Sequence, residues 1–178
     1  MEKTKKQYIN NKDFLDALMQ YKNSCKEAKK NNKPEPPIPN YIGECFMKIA
    51  EGLSHKPNFI SYTYRDEMIA DGIENCLMYF HNFNPDISKN PFAYFTQIIY
   101  YAFIRRISKE KKQTYIKYKA TEQFDILDKD ELMEFEDGTT VHFEMYDNIT
   151  EFIGNYEESM TKKKLSMKPK GIEKFMDE

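Results

Sequence analysis

RDEMIADGIENCLMYFHNFNPDISKNPFAYFTQIIYYAFIRRISKEKK, Arg65 to Lys112, decides the fold. It begins acidic, turns aromatic and ends basic. Met68, Ile69, Gly72, Ile73, Cys76, Leu77 and Phe80 recur at helical spacing, which predicts a helix over about 64–81. Gly72 in its middle costs roughly 1 kcal/mol against alanine, a cost that points to a close helix contact or a weak turn. HNFNPDISKNP (81–91) reads as a turn, and Asn90–Pro91 as a helix start, with an Asn cap and Pro at the first helical position. The next helix runs from Pro91 to about Lys112 or beyond.

That last helix has two faces. At 100° per residue, Phe95, Ile99, Ala102 and Phe103 form one stripe, the natural core face. Tyr94, Gln97, Ile98, Tyr101 and Arg105 form a second, which mixes aromatic, amide and guanidinium groups. Such a mixture suits base stacking, base-edge hydrogen bonding and phosphate contact. The plainer reading is a wide core face on a helix packed on two sides. Arg105, Arg106, Lys109, Lys111 and Lys112 favour nucleic acid, although a basic run is also an ordinary solvated helix end that suits the helix dipole.

Toward the N-terminus, Ile42, Phe46, Ile49, Ala50 and Leu53 predict a helix over 40–55, ended by Pro57. Phe14, Leu15, Leu18 and Met19 predict another over 11–30, capped by Asn11 or Asp13. Between them NNKPEPPIPN (31–40), with four prolines, is an extended, semi-stiff connector. Toward the C-terminus periodicity fades after Thr121. The acidic stretch 121–156 suits short helices or a small hairpin at DGTT. Residues 157–170 are polar, the composition of a disordered tether.

Composition supports a helical chain. There are 178 residues, six Gly, 13 Tyr, 13 Phe and no Trp, with few β-branched runs. The net charge of −2 conceals segregation: seven Lys/Arg and one acid over 105–119, then thirteen acids and one Lys over 121–158. The acidic block could solvate a linker, meet a basic partner or shield the basic block. Three widely spaced cysteines, Cys25, Cys45 and Cys76, form no CxxC pair, so a reducing cytosol fits, and Cys45 and Cys76 fall on apolar stripes. The N-terminus is polar throughout, and no apolar run approaches the ~20 residues of a membrane span. His55, His81 and His142 share no ligand spacing, and no HExxH, P-loop or GxSxG is present. We therefore expect no enzyme, metal or cofactor.

DEMIADGIENCLMYFHNFNPDISKNPFAYFTQIIYYAFIRRI resembles region 2 of bacterial sigma factors, without a gap over about forty residues. IAEGLSHKPNF, EMIADGIE, the HNF turn, NPFAYFTQ and FIRRISKEKK are most similar to the late-transcription sigma factors of T-even-type phages. The likeness covers roughly 8–119 and then 171–178. It implies recruitment of host RNA polymerase core to AT-rich late promoters, in the cytoplasm of the infected host. By position, Glu67 and Asp71, assisted by Asp66 and Glu74, would meet the polymerase β′ coiled coil. Tyr94 would stack on the flipped non-template −10 adenine, Phe83 would wall its pocket, and Arg105 would lie near the −12 side. Gln97 and Ile98 replace the family's Trp pair, so the wedge at the upstream fork would be built from Ile98 and Tyr101. Tyr101 also replaces a base-reading glutamine. Arg106, Lys109 and Lys112 complete the expected DNA-binding set.

A C-terminal helix-turn-helix of the kind other sigma factors carry is not apparent after Thr121. The chain ends instead in GIEKFMDE, with Ile172, Phe175 and Met176 at i, i+3 and i+4. Eight residues cannot hold a helix alone but can fold into an apolar pocket on binding. In the resembling family this tail binds the phage sliding clamp, and 157–170 would tether it. The expectation is an all-α chain: an N-terminal helix and connector (1–39), a compact sigma region 2-like helical domain (40–120), an acidic segment (121–156), and a flexible tether with a clamp-binding tail (157–178). The rival is a helical regulatory adaptor that binds polymerase or clamp without reading DNA.

Overall fold

A computed structural model describes residues 9–85, 87–123 and 141–166, with side chains of the last stretch over 147–163. Among these residues the chain is all-helical: α1 (Asn11–Lys30), α2 (Asn40–Ser54), α3 (Arg65–Tyr79), a 3₁₀ turn (Phe80–Asn82), α4 (Pro91–Gln123) and α5 (Val141–Ser166). They fall into two units, Met1–Ser108 and Lys109–Glu178.

The first unit is built on aromatic packing. α2 packs on both α1 and α3. The stripes of these helices and of α4 meet in a core that includes Phe14, Leu18, Ile42, Phe46, Ile49, Met68, Phe95, Ile99 and Phe103. Each such side chain contributes ~1.5–3 kcal/mol by leaving water. Phe95 is the hub, with ring centroids 4.7 Å from Phe46, 5.6 Å from Phe14 and 5.8 Å from Phe83. At Gly72, α3 packs tightly against side chains of α4. A Cβ there would lie 3.0 Å from Ile99 Cγ2 and 3.2 Å from Phe103 Cε1, so the glycine's helix-propensity cost admits this contact. Met19 and Leu77, expected on apolar stripes, are exposed. Cys25, Cys45 and Cys76 are buried free thiols, and desolvation pushes Cys76 up to about 12.

The helix ends follow local chemistry. Asn10, rather than Asn11 or Asp13, caps α1, accepting from the Lys12 amide at 3.0 Å. Asn11 is committed elsewhere: its Oδ1 accepts from the Phe92 amide at 3.1 Å. Asn90 Oδ1 accepts from the Ala93 amide, also at 3.1 Å, so two asparagines satisfy the start of α4. At the other end of α1, Asn32 takes a left-handed φ of 49°. The Lys33 and Asn32 amides then donate to the Ala28 and Lys29 carbonyls, a Schellman closure. The proline connector lies against α1, with Tyr21 Oη donating to the Pro36 carbonyl at 2.8 Å and Lys29 paired with Glu35 at 2.9 Å.

The second unit corrects an expectation. Residues 157–166, read as part of a disordered tether, belong to α5. Ile149 and Ile153 are buried. Phe152 meets Tyr118 edge-on at 5.3 Å, and Tyr156 stacks on Tyr115 at 4.5 Å. Lys162 pairs with Glu158 one turn earlier, which supports the polar end of the helix. The DGTT hairpin expectation lies outside the described residues.

Candidate functional site

α3 presents Asp66, Glu67 and Glu74 to solvent. Carboxylates in its first turn suit the positive end of the helix dipole as well as a basic partner. Asp71 stands apart. Its carboxylate receives both Arg106 Nε at 2.7 Å and Arg106 Nη2 at 2.6 Å, with side chains only 28% and 18% exposed. Beside this pair, Arg105 Nη2 donates to Asn75 Oδ1 at 2.6 Å, and Asn75 Nδ2 donates to the Asp71 carbonyl at 2.7 Å. Asp71 and Arg106, expected to face polymerase and DNA, therefore hold each other. The bidentate fork ties α3 to α4 and leaves Asp66, Glu67 and Glu74 as the outward acids.

On α4 the core stripe is fully turned inward: Phe95, Ile99, Ala102 and Phe103 are buried. Gln97, Tyr101 and Arg105 are exposed, whereas Tyr94 and Ile98 are half-buried at the core's edge. The Tyr94 ring lies 5.2 Å from Phe83 and stands perpendicular to Phe95 at 5.1 Å. Phe83 itself is completely buried. It cannot offer a ring face to a base from that position, as the pocket-wall expectation required. It supports Tyr94 from behind.

No protein-family model and no curated protein matches this chain.

The site therefore stands on its geometry, and that geometry adds residues the two-stripe reading passed over. Tyr100 and Ile104 are exposed on the outer face of α4. Tyr100 is braced edge-on against Phe59 at 5.7 Å. An apolar groove lined by Phe92, Ala93, Thr96, Gln97, Tyr100 and Tyr101 runs beside the stripe. Its signal was in the sequence: Ala93, Gln97, Tyr100 and Ile104 follow one another at i+4, i+3 and i+4.

Lys109 and Lys112 are exposed within the second unit. There Lys119 Nζ lies 2.9 Å from Glu122 and 3.4 Å from Glu157. Tyr115 Oη also donates to Glu157 at 2.9 Å, and this bond, followed by Lys119, holds the Glu157 carboxyl below its ordinary range. Two acids of the acidic block, Glu122 and Glu157, thus meet one cation of the basic block, Lys119. Ile172, Phe175 and Met176 lie outside the described residues. Among the described residues no group of His, Cys, Asp or Glu is arranged to hold a metal ion, and no helix is long and apolar enough to cross a membrane.

Proposed function

We propose that this chain is a sigma-type transcription initiation subunit that joins host RNA polymerase core to AT-rich late promoters of a phage. One observation carries the reading: α4 keeps Gln97, Tyr101 and Arg105 in solvent while a separate stripe of the same helix supplies the core. A helix that needed only one apolar face has no use for this second one. Tyr94 at its edge, backed by Phe83 and Phe95, is a rigid platform for an unstacked base. Asp66, Glu67 and Glu74 on α3 supply the polymerase-facing acids. Ile172, Phe175 and Met176 are assigned to the sliding clamp on the resemblance of the C-terminal tail.

The test is promoter opening by the chain reconstituted with polymerase core. Base–aromatic stacking is worth ~1–3 kcal/mol, so Tyr94→Ala is expected to reduce opening about tenfold or more. Tyr94→Phe keeps the ring and should retain most of the activity. Opening unchanged by Tyr94→Ala would defeat the DNA-reading role. It would favour the adaptor, a reading supported by the internal engagement of Arg105 and Arg106 and by the net charge of −2.

A further inference from the structure

In the second unit the C-terminal part of α4 and α5 form a hairpin. Tyr115 meets Tyr156 and Tyr118 meets Phe152, pairings that run in opposite directions along the two helices and make them antiparallel. Two helices share one seam, so each keeps its other faces for solvent or for a further element. Those faces differ in charge and in relief. On α4, Lys109, Lys112 and Ile116 recur at i, i+3 and i+7 and are exposed. Ile116 is a branched apolar side chain left 47% exposed beside these cations. On α5, Asp147, Glu151, Gly154 and Glu158 recur at i, i+4, i+7 and i+11, away from the seam residues Ile149, Phe152, Ile153 and Tyr156, and all four are exposed. A Cβ at Gly154 would meet nothing within 4 Å. Unlike Gly72, this mid-helix glycine has no contact among the described residues to offset its helix-propensity cost.

We propose that this hairpin pairs with the hairpin of a second copy of the chain, Ile116 of each copy seating over Gly154 of the other. Glycine lets another element approach the helix backbone closely, and a branched side chain opposite fills the space. In antiparallel register Lys112, four residues before Ile116, then meets the partner's Glu158, four residues after Gly154. In a two-fold dimer this contact occurs twice. Complementarity names the occupant: one hairpin carries both a basic, protruding face and an acidic, recessed one, so a second copy satisfies both. Glu158 is engaged by Lys162 of its own helix at 2.6 Å, but both side chains are well exposed, an open pair that a second cation can join. Nothing in this pairing depends on the transcription reading. The dimer covers Lys109 and Lys112, and so describes the chain away from DNA.

Sedimentation velocity of the full chain over a concentration series provides the test. Concentration-dependent dimers are expected, weakened by added salt as the ion pairs are screened. Lys112→Glu and Glu158→Lys should each weaken self-association about tenfold, because each sets like charges together at both contacts. An equimolar mixture of the two variants should associate as the unaltered chain does, since every contact then joins opposite charges. Gly154→Ala gives a second signature, with effects of opposite sign. At a dilution where the chain is monomeric it should raise thermal stability, as alanine is the better helix former. It should also weaken association about fivefold, by filling the recess that Ile116 enters. A chain still monomeric at about 100 μM overturns the proposal. So do dimers that neither charge reversal weakens, a mixture that stays dissociated, or association untouched by Gly154→Ala.

Discussion

Replacing Phe95 by alanine is expected to remove ~3–5 kcal/mol of stability from the first unit, the range for emptying a buried phenylalanine site. Phe95 is wholly buried, and its ring touches Phe14 of α1, Phe46 of α2, Phe83 of the turn and Tyr94 of its own helix. The void would therefore open at the meeting point of four segments, where no single side chain can move in to fill it. Small domains hold only ~5–15 kcal/mol in total, so the variant should sit close to unfolding at growth temperature. Phe95→Leu keeps most of the volume and should cost well under half as much. Urea denaturation followed by circular dichroism measures both. A Phe95→Ala loss below ~1 kcal/mol would mean that the core collapses around the site, against the rigidity that the aromatic cluster implies.

The second large effect concerns Asp71. Asp71→Ala is expected to cost about 2 kcal/mol, less than the ~3–5 kcal/mol of a fully buried broken pair because both side chains retain some solvent. The loss arises from Arg106, left near the core edge without its carboxylate. Adding Arg106→Met should recover more than half of it, since an apolar chain does not need the missing acid. A purely partner-facing Asp71 makes the opposite forecast, with unchanged unfolding and weakened polymerase association. Thermal unfolding of the single and double variants separates the two. The same geometry changes how a charge reversal at Asp71 is understood. Asp71→Arg would place a third guanidinium beside Arg105 and Arg106, so loss of polymerase binding in that variant reports the fold first. Glu67→Arg, on the open face, probes the contact without that complication.

The first four helices were legible because their ends are written locally. Asn90–Pro91 opens α4, Pro57 follows α2, and the run of prolines separates α1 from α2. Gly72 also announced its contact, since a mid-helix glycine has an energetic cost that packing can explain. Pairings between distant segments were not legible. Asp71 and Arg106 stand 35 residues apart, and only the register between α3 and α4 brings them together. Phe83 looked like a loop aromatic, and its burial depends on Phe95 and α1 closing over the turn. The choice of Asn10 over Asn11 as the α1 cap was likewise a tertiary decision. α5 was hidden for a different reason. Its acids and lysines resemble a solvated linker in composition, while the apolar spacing of Ile149, Phe152, Ile153 and Tyr156 becomes meaningful only when Tyr115 and Tyr118 are there to receive it.

The bond from Phe92 to Asn11 has a kinetic meaning. It spans 81 residues, and through it a side chain at the start of α1 protects an amide at the start of α4. Hydrogen exchange at that amide therefore reports the docking of α1, whereas exchange deeper in α4 reports the helix itself. If α1 opens alone, Phe92 will exchange much faster than the amides around Ile99. Equal rates would show that α1 and the first turn of α4 open as one cooperative unit, so that the aromatic platform is assembled only when the N-terminal helix is in place.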